Sequence, residues 1–523
     1  MRFKLQAVNL ISDLISIWYG VTMVNPSSSP EYAWHEDYDW VLQEQNPWHL
    51  DGKVPDASAR SVMRPLAKSL WRRLKTNQPR RFQLVLGPRR VGKSTSLYQT
   101  VRALLADGVQ QNHIWWLRLD HPILVRASLG ILVKHIAEQV NATASRPAFI
   151  FLDELTYARD WDLWLKTFYD ESLPVVIAGS SSSTAILRNR RLESGVGRWG
   201  EQYLAPYLFG EYLDLVGHSV PIPVQETAAK TIEAAIDAQI DSSLLHQRRR
   251  RFLLTGGFPE LLLDDKYTHA DEQSLLIQSQ EMLRIDAVER AIYKDIPQAY
   301  GVDNPAMIER LLYTFAGQFT GILSPNKICG EINGLSLSTF DRYLGYLEHS
   351  FLVFELPNYS GRAAPKLKRG RKLFFVDGSV RNAVLQRGLM PLNNDQEMGL
   401  LLENMAAGHL HALGQQSHVR VYYWRDGDLE VDLIYDHPEF PMAFEIGLSP
   451  NHSRLGLHAL MERHTRFRGR CYFVRPQIMA RKPHDSPDNI GTIPLDLFLL
   501  AVSAQAEREL ANRLGRPANE KTE

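Results

Sequence analysis

The segment "FQLVLGPRRVGKST", residues 82–95, restricts the possible folds of this chain more than any other stretch. An apolar run leads into a glycine-containing loop, and Lys93 and Ser94 follow where a helix begins, which is the spacing of a phosphate-binding loop. Glycines let the backbone N–H groups turn inward, where they hold phosphate oxygens. We therefore predict a nucleoside triphosphate site formed by Gly87, Pro88, Arg89, Arg90, Val91, Gly92, Lys93, Ser94 and Thr95.

Two side chains of this loop have separate tasks in the prediction. Lys93 supplies a positive charge to the β- and γ-phosphates, and the Ser94 hydroxyl is placed to bind Mg²⁺, with Thr95 in support. The amino end of the following helix adds a favourable dipole. ATP and Mg²⁺ are therefore the expected cofactors.

Short apolar strands alternate with amphipathic helices from residue 82 to about residue 217. The segments "FQLVLG", "HIWWLRLD", "PAFIFLDEL" and "PVVIAGSSSS" have the composition of buried strands. Strands that alternate with helices in this way predict an α/β fold, with a parallel sheet covered on both faces.

The third of these strands ends in two acids, Asp153 and Glu154. In the prediction Asp153 holds the magnesium shell, and Glu154 orients and polarises the attacking water as a general base. A solvated strand end with the same composition is the alternative. The spacing favours the site, because a whole strand, "HIWWLRLD", lies between the loop helix and this strand. That order fits the P-loop class in which a catalytic glutamate follows the aspartate.

Two further residues are candidates for reading the γ-phosphate. Ser180, with Ser181 as a second choice, ends the fourth strand, although a serine-rich turn explains it equally well. Arg198 could stabilise the charge that develops during phosphoryl transfer, in cis or from a neighbouring subunit, although an ordinary surface role is the simpler explanation.

Ten segments of the chain, in order, resemble a group of bacterial and archaeal AAA-type ATP-binding proteins whose C-terminal half is a domain of unknown function. They span roughly residues 80–475 and are "GPRRVGKST", "FIFLDEL", "WLKTFYD", "IAGSSSS", "GVGRW", "LAPYLFGEYL", "GGFPE", "FFVDGS", "LLEN" and "YYWRDGDLEVDLI". The resemblance implies ATP binding, slow hydrolysis and an AAA-like core. It implies no particular biological role.

The expected organisation has six parts. They are a largely helical lead-in at 1–80, a P-loop ATPase domain at 81–217, a helical region at 218–325, a winged-helix-like region at 326–394, a small α/β domain at 395–480 and a polar tail at 481–523 that frays beyond residue 505.

The small C-terminal domain resembles the PD-(D/E)xK nuclease core in its order of helix, hairpin, strand, helix and strand. Glu403 matches the helix acid, Asp432 the strand aspartate with Glu430 on the same face, and Glu445 the third acid, so these carboxylates form a possible second metal site. Gly447 stands where the motif needs lysine, we find no lysine nearby in the sequence, and Arg454 is only a weak substitute. A fold kept as a docking platform is therefore the alternative to an active nuclease.

Basic segments give little support for a nucleic-acid partner. The possible recognition helix "SLSTFDRYLGYLEHS" carries Arg342 together with acids, and "HQRRRR" at 246–251 fits a solvated helix face. The segment 362–372, "RAAPKLKRGRK", fits a phosphate-contacting wing and a solvated loop equally well.

The composition sets weak limits on location and partners. Formal net charge is zero, so no global field favours nucleic acid or membrane. Cys329 and Cys471 are too few for a disulfide framework or a zinc site, which favours a cytoplasmic location. The first residues resemble a targeting segment but are too short and polar to span a membrane, and translation starting at Met23 is an alternative.

These observations leave three functions open. The leading one is an ATP-hydrolysing AAA-type switch whose nucleotide state repositions the other domains, with double-stranded DNA and self-association as possible partners. The second is an ATP-controlled, metal-dependent DNA nuclease. The third is a non-catalytic scaffold that binds ATP for stability alone.

Overall fold

The computed structural model describes residues 34–182, 197–240, 245–263, 271–361, 370–447 and 452–515. These residues divide into two compact units: one contains 34–53 and 109–179, and the other contains 54–108 and the described chain from residue 180 onward. The described strands are β1 (Phe82–Leu86), β2 (Ile114–Arg118), β3 (Ala148–Asp153), β4 (Val175–Ser181), β5 (Trp199–Tyr203), β6 (Val353–Pro357), β7 (Arg371–Phe375), β8 (Val421–Asp426), β9 (Leu429–Tyr435), β10 (Met442–Ile446), β11 (Cys471–Arg475) and β12 (Ile490–Pro494).

The α-helices lie between and beyond these strands. They are α1 (Glu36–Gln45), α2 (Trp48–Asp51), α3 (Asp56–Ala59), α4 (Pro65–Thr76), α5 (Lys93–Ala106), α6 (Leu129–Gln139), α7 (Trp161–Asp170), α8 (Phe209–Leu215), α9 (Ala228–Asp237), α10 (His246–Thr255), α11 (Pro259–Leu263), α12 (Glu272–Leu283), α13 (Ile296–Tyr300), α14 (Pro305–Gly317), α15 (Pro325–Glu331), α16 (Leu337–His349), α17 (Gly378–Leu385), α18 (Met390–Asn393), α19 (Asp395–Ser417), α20 (Leu455–Arg463) and α21 (Leu495–Leu514). Two π-helical segments, Arg284–Glu289 and Ala291–Asp295, connect α12 to α13.

The N-terminal half contains the predicted α/β fold. Its strands form one five-stranded sheet in the order β2-β3-β4-β1-β5. Within it, β2 pairs with β3, β3 with β4 and β1 with β5, each in parallel. Strands β1, β3 and β4 are buried along their whole length, as expected for strands covered on both faces. The four apolar segments singled out in the sequence are all strands.

In the first unit, α1 and α2 pack beside β2 through one buried amide. The Asn46 side chain donates to the carbonyl oxygen of Trp116 at 3.0 Å and accepts from the Trp116 N–H at 2.6 Å. At Trp116, Asn46 thus makes the two bonds that a neighbouring strand would make, while Trp48 donates to the Ile114 carbonyl oxygen and Gln45 accepts from the Arg118 N–H.

The C-terminal part of the second unit contains a second five-stranded sheet, in the order β12-β11-β10-β9-β8. Strands β8 and β9 form the predicted hairpin, and Gly427 takes the positive φ of 61° that the tight turn needs. Strand β10 pairs antiparallel with β9 and parallel with β11. The predicted order of helix, hairpin, strand, helix and strand is therefore present.

The prediction that the chain frays beyond residue 505 is wrong. Helix α21 runs to Leu514 and buries Ala506, Leu510 and Leu514, because its polar residues alternate with an apolar stripe at helical spacing. The helix face 246–251 is also not fully solvated, since Arg249 is 3% exposed and its guanidinium lies 3.0 Å from the Asp496 carboxylate.

The region predicted as winged-helix-like contains two helices, α15 and α16, followed by the antiparallel pair β6–β7. Residues 362–369 of the basic segment lie outside the described residues, while Arg371 and Lys372 begin β7. Whether this region binds nucleic acid stays a prediction. None of the helices in the described ranges combines the length and apolar content that a membrane span needs.

Candidate nucleotide site and a second acidic cluster

The predicted phosphate-binding loop connects β1 to α5 within the second unit. A Cβ on Gly87 would lie 2.2 Å from the Leu204 carbonyl oxygen, so only glycine fits there. Gly92 caps α5 at a φ of 85°, and Arg90 also has a positive φ, 66°. Alternation of ordinary and left-handed residues is the backbone pattern that turns successive N–H groups toward one point.

Lys93 begins α5 and is only 6% exposed. Its ammonium group donates to the carbonyl oxygens of Gly87 at 3.0 Å and Pro88 at 2.8 Å. The charge is therefore held over the loop, and phosphate oxygens would replace these carbonyl oxygens as acceptors.

The two arginines of the loop form ion pairs with acids of the helical region. Arg89 binds both carboxylate oxygens of Asp295, with 2.7 Å between Arg89 Nε and Asp295 Oδ2. Arg90 lies 2.8 Å from Glu260 and 2.8 Å from Asp286. The sequence analysis assigned all of these loop positions to phosphate, whereas these two side chains connect the loop to the chain that follows it.

The sequence analysis missed Arg64, which supports the loop from the residue before α4. Its side chain is 2% exposed, donates to the Val91 carbonyl oxygen at 2.7 Å, and pairs with Glu211 at 2.9 Å. Its guanidinium also lies 3.8 Å from the centre of the Tyr207 ring. No local motif surrounds Arg64, so its role depends on contacts that only the fold reveals.

The predicted magnesium and water-activating acids lie at the end of β3 in the first unit. Asp153 is 6% exposed, and its carbonyl oxygen accepts from the Leu119 N–H at 3.0 Å. Glu154 follows with a φ of 53°, a left-handed conformation that is uncommon for residues other than glycine.

The two candidates for sensing the γ-phosphate differ in position. Ser180 lies near the carboxyl end of β4 and is 1% exposed. Arg198 precedes β5, whose first residue pairs with Phe82 at the amino end of β1, while the loop follows the carboxyl end. Five residues of strand, roughly 16 Å, therefore separate the Arg198 backbone from the loop. Within one chain, Arg198 therefore lies at the opposite end of β1 from the phosphate-binding loop.

A lysine completes the second acidic cluster, contrary to the sequence analysis. The Lys372 ammonium lies 2.7 Å from Glu403, 2.8 Å from Glu430 and 3.1 Å from Asp432. The sequence near Gly447 indeed contains no lysine, but Lys372 comes from β7, far from the acids in sequence, and the fold brings it to them. Arg454, the suggested substitute, instead pairs with Asp488 at 3.0 Å.

Gly447 stands where the nuclease motif carries lysine, and its neighbour explains the glycine. A Cβ at this position would lie 2.9 Å from the Cβ of His452. His452 in turn places its Nε2 atom 2.7 Å from Glu445 Oε1. The third acid, Glu445, is therefore contacted by a histidine and not by the lysine that the motif would place beside it.

Burial and charge shift the pKa values of this cluster. Burial raises the pKa of Glu403 to about 7 against the opposing effect of Lys372, and burial together with Asp432 raises the pKa of Glu445 to about 8. Burial lowers the pKa of Lys372, but the charges of the surrounding acids outweigh it and raise that pKa well above its usual value. The cluster therefore carries more carboxylates than its one lysine can compensate.

Comparison with protein families divides the chain into three matched segments. Residues 79–213 match a family model described as an AAA domain. Residues 246–390 match a domain of unknown function, DUF8612, and residues 398–490 match another, DUF4143. The AAA match includes the phosphate-binding loop and all five strands of the N-terminal sheet.

Several proteins are similar to much of the chain. An uncharacterised protein of Methanocaldococcus jannaschii is 24% identical over 68% of this chain and 72% of its own length. An uncharacterised protein of Haemophilus influenzae is 20% identical over 68% of this chain and 83% of its own length. Among solved structures, Cdc6p from Pyrobaculum aerophilum is 13% identical, covers 64% of this chain and 99% of its own, and has a TM-score of 0.25.

The fold and the family match together define the class of the N-terminal half. Residues 79–213 form a P-loop-like AAA domain with a parallel sheet, and the two segments that follow match domains of unknown function.

Proposed function

We propose that this protein binds and hydrolyses ATP, and that nucleotide binding acts as a switch on the chain that follows the phosphate-binding loop. Lys93 and Ser94 hold the triphosphate and Mg²⁺, Asp153 completes the magnesium shell, and Glu154 activates water. Ser180 senses the γ-phosphate, and any role of Arg198 belongs to a neighbouring copy. The observation that carries the proposal is the nearly buried Lys93 ammonium held over a loop with phosphate-binding geometry.

The switch has a physical route within the second unit. Arg89 and Arg90 belong to the loop, while their acidic partners Asp295, Glu260 and Asp286 belong to the helical region. A bound triphosphate competes with these carboxylates for the same guanidinium groups. ATP binding and release would therefore alter the ion pairs that join the loop to the helical region.

Substitution Lys93→Ala tests nucleotide binding. Loss of two charge-assisted hydrogen bonds to phosphate, each worth about 1.5–3 kcal/mol, weakens Mg·ATP binding roughly 100-fold or more. Titration with a fluorescent ATP analogue measures the affinity, and Lys68→Ala, at an exposed lysine, should leave it unchanged. Equal affinities of Lys93→Ala and the parent would remove the loop from the site.

The rate of phosphate release, measured with and without double-stranded DNA, tests DNA as a partner.

A second candidate function, an ATP-controlled metal-dependent DNA nuclease, gains support from Lys372. Its ammonium lies within 3.1 Å of Asp432 and supplies the cation that the third strand lacks. In such a site the metal and the lysine activate water and stabilise the charge that develops on the scissile phosphate. Because Asp432 and Glu445 are each 8% exposed, cleavage requires the neighbouring chain to move, and this candidate assigns that movement to ATP.

A plasmid assay tests the nuclease candidate. Supercoiled DNA is incubated with the protein, Mg²⁺ or Mn²⁺, and ATP. The nuclease candidate would be supported if the parent nicks the plasmid and Asp432→Ala does so at least roughly 100-fold more slowly. Retained ATP binding by that variant shows that it is folded. Intact plasmid with the parent, or equal nicking by both proteins, would reject nuclease activity.

A further inference from the structure

We propose that Asp432, Glu445 and His452 form a binding site for a divalent transition-metal ion, and that Glu403 is not one of its ligands. The proposal differs from the magnesium site of Glu403, Asp432 and Glu445 predicted from sequence. It depends on neither ATP turnover nor strand cleavage, since it concerns metal binding alone.

The three residues already have the spacing of a metal site. Each offers one ligand atom, and these atoms lie within 4.8 Å of one another. Strands β9 and β10 hold the two acids, and the Ile446 N–H donates to Asp432 Oδ2 at 2.9 Å, which fixes the Asp432 carboxylate. His452 lies beside Glu445 at 2.7 Å.

A buried atom independently indicates that a cation is needed. Glu445 is 8% exposed, and among the described residues its Oε2 atom has no hydrogen-bond partner. Leaving a buried carboxylate oxygen without a partner costs stability, because the oxygen has lost its hydrogen bonds to water. The other oxygen of Glu445, Oε1, lies 2.7 Å from His452 Nε2, which is itself one of the proposed ligands.

Lys372 explains why Glu403 belongs to a different part of the cluster. The Lys372 ammonium group lies within 3.1 Å of Glu403, Glu430 and Asp432 and compensates the negative charge of these three acids. Four carboxylates, including Glu445, thus face one buried ammonium. Lys372 contacts the other three acids, and a divalent ion held by Asp432 and His452 would compensate Glu445.

His452 determines which kind of metal fits. Mg²⁺ prefers oxygen ligands and gives up its water reluctantly, whereas imidazole nitrogen suits Zn²⁺, Co²⁺, Ni²⁺ and Fe²⁺. Gly447 leaves room for this histidine, because a side chain at position 447 would collide with the His452 Cβ. Binding requires His452 Nε2 and the carboxylates to be free of protons, so metal affinity should rise with pH.

Cobalt binding to the full-length protein, without nucleotide or DNA, tests the proposal. Co²⁺ is titrated into protein freed of metal by chelation, and its visible absorption reports nitrogen and oxygen ligands directly. We expect one Co²⁺ per chain, displaced by Zn²⁺, and about tenfold or more weaker binding of Mg²⁺ in competition. His452→Gln should weaken Co²⁺ binding about tenfold or more and change the absorption bands.

Two controls separate the site from adventitious binding. His484→Gln removes a histidine whose side chain is 68% exposed, and it should leave affinity and spectrum unchanged. Because His452 has a 36% exposed side chain, its substitution should preserve the fold, which circular dichroism verifies. Equal Co²⁺ affinity of His452→Gln and the parent, or effective competition by Mg²⁺ at equal concentration, would overturn the proposal. A protein that binds Co²⁺ as expected but leaves plasmid intact would reject only the nuclease candidate.

Discussion

Substitution Glu154→Gln is expected to leave ATP binding intact and to reduce phosphate release about 100-fold or more. General-base catalysis contributes roughly 10²–10⁴-fold to rate, and glutamine keeps the shape of the side chain but cannot accept the proton. Affinity should persist because Lys93 and the loop backbone, not Glu154, hold the triphosphate in the proposed site. Steady-state phosphate release and nucleotide titration on the same preparations measure the two effects separately.

A matched control for this prediction lies in the same unit. Glu171→Gln changes an acid whose side chain is 50% exposed and pairs with Lys134, so its ATPase rate should equal that of the parent. Equal rates for Glu154→Gln and the parent would exclude Glu154 as the base. If the parent itself releases no phosphate while ATP raises its melting temperature, the scaffold function is the correct one and the switch requires binding alone.

The sequence predicts the N-terminal sheet well where hydrophobic runs are long and unbroken. Strands β1, β3 and β4 are fully buried, so each shows a continuous apolar segment. Strand β5, "WGEQY", was not predicted because its residues are mostly half-buried and polar, and its extended form depends on pairing with β1. Tertiary pairing thus decides the structure where local pattern is weak.

The candidate sites show a similar division. The loop at 87–95 is contiguous, so its residue types and spacing are enough to predict its geometry. Arg64 and Lys372 were missed because each acts on partners that the fold brings near, and His452 was missed because, although seven residues from Glu445, it belongs to no known motif. Lys372 is the last residue of the basic segment that suggested phosphate contact, and in the fold it lies on β7, 2.7 Å from Glu403.

Substitution Lys372→Met is expected to destabilise the C-terminal sheet by about 3–5 kcal/mol. Removing one partner of a buried ion pair leaves the other charge buried and uncompensated, which accounts for a loss of this size. Here the lysine side chain is 4% exposed and three carboxylates lose their common partner. Methionine fills much of the volume, so the effect reports charge more than a cavity.

Hydrogen exchange at the amides of β9 measures this loss as a change in local opening free energy. Lys327→Met is the matched control, because the Lys327 side chain is 66% exposed and forms a surface ion pair with Glu331 at 3.9 Å. This substitution should change the stability by no more than about 0.5 kcal/mol.

A double variant isolates the electrostatic cause. Adding Glu403→Gln to Lys372→Met removes one of the stranded carboxylates, so part of the lost stability should return, with a coupling energy of about 0.5–3 kcal/mol between the two positions. A loss below about 1 kcal/mol in the single variant would show that the carboxylates relax or take up protons readily. If the stability changes of the two substitutions simply add, Lys372 stabilises β7 through packing of its methylene chain. In that case the acids of the C-terminal domain do not depend on the charge of Lys372.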